Sequence, residues 1–163
     1  MDKKSNFIRL IKEHKDLIFK VAAFYTNNQE DRDDLYQEIV YQLWKSFESF
    51  KGQSKISTWM YRVAMNTAIY FLKKEKRGIK TTSIDKEIFE LPEAYNGDSE
   101  DRIKILYEQI QQLNLLEKGI MLLYLEGKNY NEIAAITGIS STNVGTKLSR
   151  VREKLKMQIT NKK

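Results

Sequence analysis

Apolar residues in this chain recur at spacings of three and four and almost nowhere alternate. Phe7, Ile8, Leu10, Ile11, Leu17, Ile18, Val21, Ala22, Phe24 and Tyr25 make one broad stripe of this kind. Leu35, Ile39, Leu43 and Phe47 make a second, and Val144, Leu148, Val151 and Leu155 a third. That period belongs to helices with one buried face. Seven glycines and one proline in 163 residues argue against a loop-rich β architecture. No credible strand pair is visible, so the expected fold is all-α.

Charge divides the chain into three blocks. Residues 1–77 carry a net +5, residues 78–101 a net −5 and residues 102–163 a net +6. The middle block also holds the only proline, Pro92, and the pair Asn96-Gly97, and no helical period survives across it. It reads as an acidic flexible linker between two small helical domains, 1–77 and 102–163. Two basic lobes on one tether suit a polyanion touched at two places, although +6 is also an ordinary solubility charge. The linker itself is either a solvated spacer or a strand that lies in a basic channel of a partner.

Helices are expected over Phe7–Tyr25, from Asp31 to about Phe47, and from about Ser57 to Arg77, with Ser57 as a cap. Acidic Asp31, Asp33 and Asp34 suit the positive end of the second helix. In the C-terminal domain the pattern predicts helices over Asp101–Leu113, Glu117–Glu126, Asn129–Thr137 and from Ser140 or Ser141 to about Met157. Asn129 and Glu132 have the spacing of a capping box.

The last two of these helices have helix-turn-helix spacing. Ala134 would pack within the first, Gly138 would take a left-handed turn, and Val144 would anchor the second. An ordinary αα-hairpin stays open, because glycine is common at helix ends. With the apolar stripe turned inward, Thr142, Asn143, Thr146 and Arg150 face out. Asn can bond an adenine edge and a Thr methyl can touch a thymine methyl. Lys147, Arg152 and Lys154 suit phosphates, which position without specifying sequence. Gly145 near this face either permits a close approach or is a helix defect of about 1 kcal/mol.

The third helix carries a second face. Trp59, Arg62, Asn66, Tyr70, Lys73 and Arg77 follow at spacings of 3, 4, 4, 3 and 4. Met60, Val63, Ala64, Thr67, Ala68 and Phe71 already supply an apolar side. Aromatics interleaved with cations suit a single nucleic-acid strand, whose bases stack while its backbone is neutralised. The alternative is that Trp59 and Tyr70 pack on the first helix and the cations are only solvated.

Absences narrow the chemistry. The chain has no cysteine and one histidine. Disulfides, thiolate metal sites and cysteine nucleophiles are excluded, and histidine clusters with them. No cofactor, metal, small-molecule substrate or catalytic residue is expected. The longest apolar run, Ile120–Leu125, is far short of the roughly 20 residues of a membrane span. The N-terminal stretch has no apolar core of a signal peptide. A cytoplasmic protein without membrane insertion is expected.

The two halves together resemble a bacterial extracytoplasmic-function (ECF) sigma factor, of the kind with only the second and fourth conserved sigma regions. Asp34-Leu35-Tyr36-Gln37-Glu38, Trp44 and the run Thr58–Asn66 match the second region. Glu132-Ile133-Ala134 and Leu148–Leu155 match the fourth. The resemblance implies a non-enzymatic protein that binds core RNA polymerase and brings it to promoter DNA, restrained by an anti-sigma factor. It assigns polymerase binding to Asp34, Leu35, Gln37, Glu38, Gln42 and Trp44. It assigns the melted −10 strand to the loop Phe50, Lys51, Gly52, Gln53 and Ser54 and to the third helix, with Asn66 in a pocket for a flipped base. It assigns the −35 duplex to the helix-turn-helix and the linker to the path of nascent RNA. Tyr70, Met65, Leu116, Gly145 and Thr146 depart from the family pattern. A stand-alone helix-turn-helix regulator is the alternative; it would not bind polymerase and would need a dimer interface.

Overall fold

The computed structural model describes residues 2–78 and 98–161. The chain divides into two compact units, Met1–Ile88 and Phe89–Lys163. Among the described residues every regular element is helical. The first unit contains α1 (Lys3–Glu13), α2 (Lys15–Tyr25), α3 (Gln29–Ser46), a single 3-10 turn over Phe47–Ser49, and α4 (Ile56–Gly78). The second contains α5 (Asp98–Gln111), α6 (Leu115–Leu125), α7 (Tyr130–Thr137) and α8 (Ser141–Asn161). Most of the expected linker, 78–101, lies outside the described residues; Gly78 ends α4, and residues 98–101 already belong to α5.

In the first unit α2, α3 and α4 pack on one another. Ile18 and Val21 of α2, Leu35, Ile39 and Leu43 of α3, and Met60, Ala64 and Ala68 of α4 are inaccessible to solvent. The expected single helix over Phe7–Tyr25 is two helices. No apolar residue stands between Ile11 and Leu17, so no buried stripe holds the junction straight. The His14 amide bonds back to the Leu10 and Ile11 carbonyls at 3.1 and 3.2 Å, and its ψ of 22° turns the chain. The start of α3 lies two residues before Asp31. Asn28 caps it, accepting from the Asp31 amide at 2.7 Å while its own amide donates to the Asp31 carboxylate at 3.1 Å. Ser57 is the second residue of α4 and not its cap.

In the second unit α8 packs against α5, α6 and α7. Its stripe of Val144, Leu148, Val151 and Leu155 is buried as the spacing predicts. Ile110, Ile120, Leu123, Ile133 and Ile136 complete the core. Capping boxes open α6 (Asn114 with Glu117) and α7 (Asn129 with Glu132), each with both reciprocal bonds. The first of them starts α6 at Leu115, ahead of the expected Glu117. Gly138 ends α7 at φ +86°, and its amide bonds the Ala134 carbonyl at 2.8 Å. That conformation favours glycine. Ala134 is half-buried, so Ile133 and Ile136 do most of the packing expected of it. The Ser140 hydroxyl accepts from the Asn143 amide at 3.1 Å and opens α8.

Lys118 is the unusual core member, only 6% exposed, with its ammonium donating to Gln111 Oε1 at 2.9 Å. Burial pulls its pKa from 10.5 down to about 8. Between those values the unfolded chain keeps a proton that the folded one has released. Stability therefore rises with pH from about 8 to 10.5, and below that window the cost of burying the charge is fully present. Lys118→Met keeps the buried stem and removes the charge. Denaturant melts at pH 7 to 10 will show this variant more stable at pH 7 and without the wild-type rise above pH 8.

Candidate nucleic-acid interface

The outward face of α4 is polar and displayed. Arg62, Asn66 and Lys73 are exposed, and the Tyr70 ring is 66% exposed. Arg77 also belongs to α4, but its side chain lies outside the described residues. Trp59 departs from the expected stripe. It is only 8% exposed, wedged between Phe50 at 5.1 Å and Phe47 at 6.4 Å between ring centroids. Phe47 continues to Phe7 at 5.3 Å, and Phe7 to Trp44 at 5.0 Å, both edge-to-face. Five rings thus run from the loop before α4 to α1. Trp59 cannot offer its face to a base here; it holds Phe50 and so the root of the loop. Its partners come from the connection between α3 and α4 as well as from the helices, which helical spacing alone does not reveal.

Beyond Phe50 the loop is open. Lys51, Gly52 and Gln53 are exposed and Ser54 is half-buried. Gly52 has φ +74°, which turns the chain back toward α4. An exposed basic and amide-bearing tip therefore stands on a packed aromatic root.

On α3, Asp34 and Gln37 are exposed, while Glu38 and Gln42 are half-buried and joined by a 3.0 Å bond from the Gln42 amide to the Glu38 carboxylate. Leu35 is a correction: it is 0% exposed and belongs to the core, as i, i+4 spacing with Ile39 and Leu43 requires. Trp44 is half-buried against Phe7, with the Lys3 ammonium 4.4 Å from its ring centre. Tyr41, which the sequence reading passed over, lies on the same polar row and is 52% exposed. Its signal was present: an aromatic residue three after Glu38 and four after Gln37, on a helix whose buried stripe was already complete.

On α8, Thr142, Asn143, Thr146, Arg150 and Arg152 are exposed and Lys147 is half-buried. Arg152 lies over the Tyr124 ring at 5.4 Å, which ties it to α6. Thr142, Thr146 and Arg150 line a shallow groove together with Ser149, Gly145 and Tyr130. The ring of Tyr130 comes from α7 and was not anticipated. Both faces suit nucleic acid: one offers an amide, an aromatic and cations, the other a row of hydroxyl, amide and guanidinium groups on a single helix. Among the described residues no group of three or more His, Asp or Glu side chains could hold a metal ion, and no helix is long and apolar enough to cross a membrane.

Phe50→Ala will leave the unit folded, with a loss of about 1 kcal/mol for one aromatic pair, and will expose Lys51 and Lys55 to faster tryptic cleavage. Trp59→Ala removes the keystone and will cost about 3–5 kcal/mol. Thermal melts and limited proteolysis separate the two.

Known proteins align with both units. The model for Sigma-70 region 2 matches residues 10–78, and that for Sigma-70, region 4 matches residues 103–155. The chain is 31% identical over 160 residues to RNA polymerase sigma factor SigV of Bacillus subtilis, covering 96% of this chain and 93% of that one. It is 32% identical over 148 residues to the ECF RNA polymerase sigma-E factor of Escherichia coli K12, covering 82% and 78% of the two. In fold it resembles the sigma factor RpoE of Bartonella quintana, crystallised with the anti-sigma factor NepR. That match has a TM-score of 0.75 at 17% identity and covers 95% of this chain and 97% of the other. It also resembles CnrH, solved in complex with the cytosolic domain of CnrY, with a TM-score of 0.68 at 15% identity over 99% and 92% of the chains.

Proposed function

The chain belongs to the ECF sigma factors and directs RNA polymerase to promoters; from that premise we propose how its surfaces divide the work. Residues 1–77 act as the region 2 domain and residues 102–163 as the region 4 domain, and the acidic stretch of sequence between them follows a basic channel of the polymerase. The polar row of α3, Asp34, Gln37, Glu38, Gln42 and Tyr41, binds core polymerase, and Trp44 shapes the end of that row. The loop Phe50–Ser54 and the α4 face of Arg62, Asn66, Tyr70, Lys73 and Arg77 take the melted −10 strand, with Trp59 holding the loop in place. The exposed face of α8, Thr142, Asn143, Thr146, Lys147, Arg150 and Arg152, takes the −35 duplex. The protein acts in the cytoplasm and is held inactive by an anti-sigma factor.

The observation that carries this reading is Tyr70 beside Asn66, both exposed on a helix whose opposite side is fully committed to the core. Extruding a base from the duplex costs a few kcal/mol. Stacking on an aromatic returns about 1–3 kcal/mol per base, and an amide adds hydrogen bonds to the base edge. A melted state is thereby trapped with no chemistry on this chain. Phosphodiester synthesis belongs to the polymerase.

Run-off transcription with bacterial core polymerase and a promoter library tests the division. Transcripts will depend on the protein. Asn66→Ala will lower them about tenfold, the scale of one lost base contact, without weakening polymerase binding. Gln37→Ala with Tyr41→Ala will do the reverse, weakening polymerase binding first. Specific duplex binding by the free protein without any polymerase binding would overturn the reading in favour of a stand-alone regulator.

A further inference from the structure

Position 145, on the second turn of α8, has no side chain, and its place is occupied from another helix. A Cβ built on Gly145 would lie 3.1 Å from Tyr130 Cε2 and 3.5 Å from Cδ2. That is tighter than most side-chain contacts, so a methyl group there would push the ring by a few tenths of an ångström. The Tyr130 ring thus rests on the bare backbone of α8 and lines the same groove as Thr142, Thr146 and Arg150. The ring is 43% exposed, and its hydroxyl has no hydrogen-bond partner among the described residues. The start of α7 is tied to the start of α8 one residue further on, where the Ser141 hydroxyl donates to Asn131 Oδ1 at 2.6 Å. Tyr130 is therefore a fixed part of the α8 surface, although it belongs to α7. It opens α7 immediately after the Asn129 capping box, so its backbone is also held.

An aromatic edge on a DNA-reading surface favours an apolar partner, and the thymine methyl is the one the major groove offers. The phenol is free to donate to a phosphate oxygen. We propose that Tyr130, seated in the space left by Gly145, determines base preference at the −35 duplex, with Gly145 as the residue that positions it. The proposal rests on the reading of α8 as the duplex-binding helix. It also gives the internal glycine a function. Glycine at that place weakens the helix relative to alanine, and it lets the ring rest against the backbone without being pushed aside.

The two effects of Gly145 have opposite signs in an experiment. Holoenzyme reconstituted with core polymerase selects duplexes from a pool randomised across the upstream element. The selected pools are sequenced for wild type, Gly145→Ala, Gly145→Leu, Tyr130→Ala, Tyr130→Phe, the double variant Tyr130→Ala with Gly145→Ala, and Arg150→Ala. Gly145→Ala will keep or raise the melting temperature yet weaken selection about threefold, and Gly145→Leu will weaken it about tenfold, magnitudes set by neighbour coupling and single base contacts. Both will flatten the preference at one base-pair position. Tyr130→Ala will flatten the same position, Tyr130→Phe will retain it, and the double variant will be no worse than Tyr130→Ala alone. If Arg150→Ala alters the selected sequences while the Gly145 and Tyr130 variants do not, or if those two add independently, the pairing is wrong and the reading of α8 stands. If Arg150→Ala also changes nothing, the reading of α8 falls and the pairing with it.

Discussion

Each of the two units is built on a helix that gives one face to the core and leaves the other exposed. In α4, Met60, Ala64 and Ala68 are sealed against α2 and α3; in α8, Val144, Leu148, Val151 and Leu155 are sealed against α5, α6 and α7. Units this small have no second core layer to brace a binding surface. The helix that displays the functional groups is therefore also the helix that holds the unit together. Asn66 and Tyr70 on one, and Thr142, Asn143 and Thr146 on the other, inherit their rigidity from the residues behind them.

Where function needs a loop, rigidity comes from a different source. The segment from Phe50 to Ser54 has no helix of its own, and Phe50 is set on Trp59 at the end of a run of five rings. The same run reaches Trp44, near the end of α3, and the Lys3 ammonium above it. The end of α3 and the loop before α4 thus share one aromatic packing network. A dense, weakly directional set of ring contacts fixes the root of the loop, and Gly52 leaves its tip able to turn.

Most of the helices, and the polar faces of α4 and α8, were legible in the sequence. Spacing of three and four placed the buried stripe of α8 residue by residue, and the Asn129–Glu132 box and Gly138 located the turn before it. The break at His14 was legible only as a five-residue gap in an apolar stripe, and a gap does not say whether a helix bends or continues. Asn28 and Asn114 start their helices two residues before the expected positions, because capping acts through side-chain bonds to the backbone that periodicity ignores. The family resemblance set Leu35 among the polymerase-binding positions while its spacing set it in the buried stripe, and it is buried.

By itself the sequence determined where most helices run, give or take their ends, which side of each is apolar and which side is polar. These follow from a period local to one helix, and a period is written in the order of the residues. Only the tertiary structure decided what covers each position. Trp59 stands on the displayed stripe by spacing and is buried by Phe47 and Phe50. Tyr41 stands beside a core stripe by spacing and is 52% exposed. Gly145 reads either as a place of close approach or as a weak point in a helix, and the ring of Tyr130 is found against it. Burial is a relation between segments distant in sequence, set by how close two helices come, and no window along one helix contains the other.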